Sequence, residues 1–387
     1  MKRSEFLLLN LGEGASSHGS GGTERASRVF NEIQSLGNEC LVLGTCGLKK
    51  FLDKRNIALD VIEVKFPKGL HDEKSSFTRL AAYVFCTISG LREIRKIETK
   101  IVVSASDYFP DVLLAFYIKV IRKDLVWISV IHHKGRLFQG STRKNISAIS
   151  KRCLQLFSWF IIRHKSNLLL TYKTNEGYEI VNSMLFRKIQ HKYIENGFDI
   201  ELINSAPAHT RPPDILLSGG PRVSKGIFDL PLVIKGVKRI FPQVSIGIAG
   251  EGTPATISAL IKKLEEHDVG QHVYFYGNLE KLELYSLIKG SKVVVSLSHE
   301  EGWGIAIREA LACERPCVVY ELPAFHDLRN HIQFAPLGDV AAMVQKIVKV
   351  LNGLEVRASG PEKPTFKSWK EVALDDLFFM REILNKI

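Results

Sequence analysis

Between residues 296 and 320 the chain reads SLSHEEGWGIAIREALACERPCVVY, with two carboxylates at defined places. Glu301 lies in a glycine-bearing turn, and Glu309 follows inside a helical run with seven residues between them. Gly302 and Gly304 let backbone amides approach a ligand closely, and an anion is electrostatically favoured at the start of such a helix. Glu309, further along, has the chemistry to accept hydrogen bonds from sugar-type hydroxyls, because an ionised carboxylate only accepts. The competing reading has Glu301 capping the helix and Glu309 solvated. A second group stands at the end of the apolar run Trp127 to Ile131, where His132 and His133 follow at the carboxyl end of an expected strand. Doubly wound sheets place functional groups there; loop histidines without a chemical part are the alternative. A third is glycine-rich: Gly19, Gly21 and Gly22 precede a helix beginning near Thr23. The pattern is neither G-x-G-x-x-G nor G-K-[ST], which disfavours a dinucleotide oxidoreductase or a P-loop ATPase.

Such groups act together only if strands and helices bring their loops to one edge. Short apolar runs alternate with longer amphipathic ones throughout, the signature of strands crossing through helices into parallel sheets. In the first half, residues 6–11, 39–44, 101–104, 126–131 and 168–171 read as strands, and 23–36 as a helix with Ala26, Val29, Phe30 and Ile33 on one face. The second half repeats the scheme at 215–218, 244–249, 273–276, 293–297 and 317–320, with a helical spacing from Ile227 to Phe241. Pro231 is allowed in the first turn of that helix. The expected fold class is α/β: two doubly wound Rossmann-like lobes facing a central cleft. Residues 206–214, APAHTRPPD, carry three prolines and read as a linker between a domain at 1–205 and one at 215–365.

Length and composition agree with that division. At 387 residues and 45% hydrophobic the chain can bury two ordinary cores, and its apolar fraction excludes a disordered chain. A formal charge of +12 favours anionic partners, whether nucleic acid, a phosphorylated substrate or an acidic membrane surface. No recognised nucleic-acid module accompanies the charge, so nucleic acid is disfavoured. Apolar stretches are too short to span a bilayer, and Phe6 to Leu9 read as a first strand, not a leader. Six scattered cysteines without a C-x-x-C pair fit a reducing cytosol. With no D-x-D and no histidine-carboxylate cluster at ligand spacing, no metal cofactor is expected.

EGWGIAIRE followed by ALAC and PCVV resembles the E-x7-E motif of glycosyltransferase family 4, a retaining family of the GT-B fold. GGTE at 21–24 is similar to that family's GGxE, ENGFD at 195–199 to its NGxD, and Lys225-Gly226 to its KG, in matching order over nearly the whole chain. Residues 366–387 resemble its closing helix, which crosses back onto the first lobe. The resemblance implies transfer of a hexose-type sugar, with retention, from a nucleoside-diphosphate sugar held mainly by the second lobe to an acceptor held mainly by the first. It implies that Glu301 contacts donor-sugar hydroxyls and Glu309 the ribose. Gly302, Trp303 and Gly304 would offer amides to the donor, and Lys225 would neutralise the diphosphate. Gly21 and Gly22 would stand on the diphosphate or acceptor side, and His132, with His133 as alternate, would hydrogen-bond the transferred sugar. Where the family has arginine five positions before the lysine this chain has Gly220, leaving Arg222 either to supply the second positive charge or to be solvated. A second departure is Glu314, where the family usually has glycine; glycine there serves a left-handed helix end.

The expected enzyme is thus a cytoplasmic glycosyltransferase, free or peripheral on the cytoplasmic membrane face, serving polysaccharide, lipopolysaccharide or glycolipid synthesis. Its expected partners are a nucleoside-diphosphate sugar, a sugar or lipid-linked acceptor and an anionic membrane. A nucleotide-sugar hydrolase or epimerase, or a non-catalytic sugar-nucleotide-binding protein, is the alternative. Two basic first-lobe regions stand out. Residues 134–144 are the candidate for an anionic acceptor or headgroups, while Ile146, Ile149, Cys153, Leu156 and Phe160 at helical spacing read as the core face of a helix.

Overall fold

The computed structural model describes residues 2–12, 20–66, 76–132, 142–354 and 364–386. The chain forms two compact units, Met1–Gly197 with Lys367–Ile387, and Phe198–Phe366. The positive excess belongs to the first: 35 lysines and arginines against 22 acids there, and 18 against 19 in the second.

The first unit alternates strand and helix: β1 (Lys2–Asn10), α1 (Gly21–Ser35), β2 (Cys40–Thr45), α2 (Cys46–Lys54), β3 (Val61–Val64), α3 (Ser76–Ile94), β4 (Ile97–Ser104), α4 (Phe109–Ile121), β5 (Val126–Ile131), α5 (Thr142–Lys165), β6 (Leu168–Tyr172), α6 (Asn175–Asn182) and β7 (His191–Ile194). Its seven-stranded parallel sheet has the order β3-β2-β1-β4-β5-β6-β7. The inner strands are mainly apolar over the stretches covered on both faces, as parallel strands require; Phe6 to Leu9 are 0% exposed. Phe6 aligns with Cys40 on one side and Ile101 on the other, so the chain's progress across the sheet reverses at β1. Right-handed crossovers put α1 and α2 on one face and α3, α4 and α5 on the other. There α4 packs between α3 and α5.

The second unit contains α7 (Ile200–Ser205), β8 (Ile215–Ser218), α8 (Leu230–Lys238), β9 (Ile246–Ala249), α9 (Pro254–Glu266), β10 (Val273–Gly277), α10 (Lys281–Gly290), β11 (Val293–Ser296), α11 (Ile305–Ala312), β12 (Cys317–Tyr320), β13 (Gln333–Ala335) and α12 (Val340–Leu351). Its six parallel strands run β10-β9-β8-β11-β12-β13, with the reversal between β8 and β11. The final helix, α13 (Trp369–Leu384), returns to the first unit and packs on α1. Buried Arg25 in α1 donates to both carboxylate oxygens of Asp376 in α13, at 2.9 and 2.7 Å, and to the Glu195 carbonyl at 2.8 Å. Gly197 is needed beside it, since a Cβ there would lie 2.5 Å from Trp369 Cα.

Every expected strand is present, and the sheets gain β3, β7 and β13 at their edges. The division between units falls at Gly197 and Phe198, ahead of the proline-rich 206–214. Those prolines end α7 within the second unit, where the His209 amide donates to the Ser286 carbonyl at 2.9 Å. In α5 the helix forms as expected but presents a different face. Trp159 and Ile162 are buried, whereas Cys153, Leu156 and Phe160 are exposed; the side chains of Ile146 and Ile149 lie outside the described ones.

Candidate active site

In the second unit the loops after β8 and β11 leave adjacent strands at the point of reversal, where open α/β sheets bind ligands. The β8 loop runs through Gly219 and Gly220 to a single 3-10 turn ending at Lys225, then Gly226. Gly226 has φ +61°, and a Cβ on it would lie 1.7 Å from the Leu297 carbonyl oxygen. Only glycine lets this loop meet the β11 loop so closely. The His299 amide donates to the Ser224 carbonyl at 2.9 Å, closing the contact. Across it, the Lys225 ammonium donates to Glu301 Oε1. The same oxygen accepts from Ser298 Oγ at 2.8 Å, and Ser298 Oγ accepts from Ser296 Oγ at 3.0 Å. Glu301 therefore does not cap α11; the N-cap is Gly304, at φ +76°.

Gly304 is equally constrained, for a Cβ would lie 2.1 Å from Phe325 Cε1. Between Glu301 and Gly304, Gly302 and the buried Trp303 complete the turn. Arg308 clamps it: its guanidinium sits 4.1 Å from the Trp303 ring centroid, its Nε donates to the Trp303 carbonyl at 3.0 Å, and its terminal nitrogens grip Asp327 at 2.9 and 3.0 Å. A bidentate, stacked arginine of this kind fixes geometry as well as charge. The turn's backbone is thereby held in place.

Glu309 is 5% exposed and is not solvated. Its Oε1 accepts from the Lys281 ammonium and from Tyr285 Oη at 3.2 Å, while Lys281 Nζ lies 5.6 Å from the Tyr285 ring centroid. Burial, together with the charges of Glu309 and Asp199, pushes the Tyr285 phenol well above its ordinary range, so it stays a donor. Both donors use Oε1, and neither occupies Oε2. Sequence reasoning missed Lys281 and Tyr285. Their one signal is the spacing of four that puts them on the same face of α10.

Arg222 is exposed and donates to the Gly219 carbonyl at 2.9 Å, without an ion pair to Glu301 or Glu309. Gly220 leaves no room for a side chain, as its φ is +76° and a Cβ would approach the Glu251 carbonyl oxygen to 2.3 Å. Glu314 adopts φ +58°, so the chain takes the left-handed helix end there without glycine.

In the first unit, Gly22 and His132 come together. A Cβ on Gly22 would lie 2.5 Å from His132 Nε2, which donates to the Ala105 carbonyl at 2.8 Å. That bond sets the tautomer, because a carbonyl only accepts. The imidazole centroid lies 5.6 Å from that of Tyr172, whose hydroxyl donates to Asn196 at 3.2 Å. Gly21 is the exposed first residue of α1, whose N-cap Ser20 accepts from the Thr23 amide at 3.2 Å. His133 and Gly19, with residues 134–141 of the expected basic loop, lie outside the described residues. Among the described residues no group of three or more His, Cys, Asp or Glu is arranged for a metal ion.

Residues 199–359 match the family described as glycosyl transferases group 1. Glycogen synthase of Mycobacterium tuberculosis is 27% identical over 241 residues, 59% of this chain and 55% of that protein. GDP-mannose:cellobiosyl-diphosphopolyprenol alpha-mannosyltransferase of Xanthomonas oryzae pv. oryzae is 27% identical over 134 residues, 35% of each chain. The match thus spans about half the length of the first relative and a third of the second. Among solved structures, sucrose-phosphate synthase from Thermosynechococcus elongatus superposes with a TM-score of 0.78 at 13% identity, covering 100% of both chains. HepE of Anabaena, solved with UDP and glucose, gives 0.70 at 13% identity over 98% of this chain and 99% of that one. The two doubly wound units are those of the GT-B glycosyltransferase fold. By its second unit the chain is similar to the glycosyl transferases group 1.

Proposed function

We propose that the protein transfers a hexose-type sugar, with retention, from a nucleoside-diphosphate sugar to an acceptor. The observation that carries this reading is the meeting of Lys225 and Glu301 at the β8–β11 reversal, beside a turn held by Gly304 and Arg308. In the reaction the bond from the anomeric carbon to the diphosphate breaks while that carbon bonds the acceptor oxygen on the same face. The acceptor proton leaves with the diphosphate. Lys225 counters the charge that grows on the leaving group, where a preplaced cation contributes most. Glu301 accepts from the donor-sugar hydroxyls, and the free Oε2 of Glu309 accepts from the ribose. Lysine, backbone amides and a helix start carry the diphosphate without a metal. Gly22 and His132 are assigned to the acceptor side.

Support for the nucleotide comes from HepE, solved with UDP and with UDP-glucose, and support for the acceptor from the diphosphopolyprenol-linked substrate in the Xanthomonas relative's name. We take the acceptor to be a saccharide carried on lipid, with the protein working at an anionic membrane face. Incubation with a panel of nucleoside-diphosphate sugars, monitored for nucleoside diphosphate release with and without lipid-linked acceptor, tests the reading. Acceptor-dependent release supports transfer. Equal release without acceptor, or none from any donor, overturns it.

A further inference from the structure

We propose that the outer face of the α3–α4–α5 layer docks on a bilayer surface bearing anionic headgroups. This deepens the reading above by naming a surface for the lipid side of the reaction, and its test uses no transfer. The first observation is charge. In α4, the turn after it and the described side chains of α5, Lys119, Arg122, Lys123, Arg152, Arg163 and Lys165 stand against buried Asp111 and against Asp124. The unit as a whole carries the protein's entire positive excess. Charge of one sign over one face attracts an anionic surface across roughly a Debye length.

The second observation is apolar. On α3, Val84, Phe85 and Ile88 are 43, 45 and 51% exposed; on α5, Leu156, Phe157 and Phe160 are 41, 50 and 56% exposed. Each triplet has the spacing i, i+1, i+4 and so forms one stripe on its helix. Single exposed apolar residues are ordinary, but matched stripes on the two outer helices of one layer are not. Rings at the start of α4 join them: Tyr83 and Tyr108 stack at 6.3 Å between centroids, and Phe109 meets Phe157 at 6.1 Å. Exposed Arg92 and Lys165 lie at or beside the C-terminal ends of α3 and α5, so basic groups border the apolar band. An interfacial surface has this pairing: apolar side chains for the acyl boundary and cations for the headgroups. Self-association through the same face would bring two strongly positive surfaces together, which argues for lipid over a second copy. Among the described residues no helix is long and apolar enough to cross a membrane, so the contact lies at the surface.

The test is co-sedimentation of the full chain with phosphatidylcholine vesicles, with and without phosphatidylglycerol, at low and high salt. Wild type should pellet with the anionic vesicles at least about fivefold more than with neutral ones, and high salt should release it. The doubles Phe157→Ser/Phe160→Ser and Lys123→Glu/Lys165→Glu should each lose most of that binding while keeping the thermal shift produced by nucleoside diphosphate. Failure of wild type to bind anionic vesicles, or full binding by both doubles, overturns the proposal. So would a wild-type dimer in sedimentation velocity that Phe157→Ser/Phe160→Ser converts to monomer, since the face would then be an interface between copies. Loss of the nucleotide shift in wild type would count against the transferase reading alone.

Discussion

Lys225 and Glu301, 76 residues apart in sequence, share a hydrogen bond across the two loops that leave adjacent strands where the second sheet reverses. Each charge is held by the other, partly buried, so both side chains are ordered by their own pairing. Preorganisation of this kind stabilises a transition state without reorganisation at the moment of reaction.

Removing either partner should therefore be costly. Lys225→Met is expected to lower kcat by roughly 10²–10³-fold and Glu301→Ala by roughly 10²-fold, because each acts where charge or orientation changes along the reaction. Initial rates with a verified donor measure both, and unchanged turnover in Lys225→Met would remove it from the chemistry.

Lys281 is placed to act in binding. Lys281→Met leaves the buried Glu309 carboxylate with only the Tyr285 hydroxyl, and nucleoside diphosphate affinity should fall by about tenfold, equivalent to about 1.4 kcal/mol. Titration calorimetry reads this directly. Lys281→Arg, which keeps the cation, should recover part of the loss, and a defect equal to that of methionine would point to packing alone.

At Gly226 the backbone itself is at issue. Gly226→Ala puts a Cβ on a carbonyl oxygen at positive φ, so the loops carrying Lys225 and Glu301 must separate. We expect a destabilisation above about 2 kcal/mol, a fall of roughly 5 °C in the second unit's thermal transition, and loss of donor binding. A variant with wild-type melting and affinity would show that the close approach is dispensable.

Acid sensitivity should come partly from Asp214. Burial raises its carboxyl pKa, but hydrogen bonds from Lys292 and from the Ser245 amide and hydroxyl outweigh that and hold it below the ordinary value of 3.8. A carboxyl lowered in the folded state contributes stability that is present above its unfolded pKa and lost as pH falls through the folded one. The melting difference between wild type and Asp214→Asn should therefore shrink as pH drops from neutral to below 3.8. A difference that stays constant across that range would contradict it.

Thiol chemistry offers a further check on α5. Burial pushes the Cys40, Cys86 and Cys313 thiols up to about 12, and Cys317 is also raised, whereas Cys153 is exposed on the outer stripe of α5. A thiol reagent should modify Cys153 first, and Cys153→Ser should abolish the fast phase. Persistence of that phase in the variant would contradict the helix orientation.

The inner strands were legible because each contains a mainly apolar run, as at Phe6 to Leu9 or Val126 to Ile131, which a parallel sheet covered on both faces requires. The edge strands β3, β7 and β13 are short and half-covered: exposed Glu63 interrupts one, while His191 and Lys192 open another, so no apolar run marks them. For α5 the spacing revealed a helix but not its inward side, because Trp159 and Ile162 make a second apolar face opposite Leu156 and Phe160. Glu301, Glu309 and the glycine turn stand together in one motif. Lys281 and Tyr285 reach Glu309 only through the packing of α10 on α11, which no local pattern encodes.

The most direct test of the central claim is calorimetric titration of wild type and Lys225→Met with UDP, GDP and ADP. The account predicts that at least one binds wild type with micromolar or better affinity, and that Lys225→Met weakens it by tenfold or more. Absence of binding by all three, or equal affinity in the variant, would contradict it.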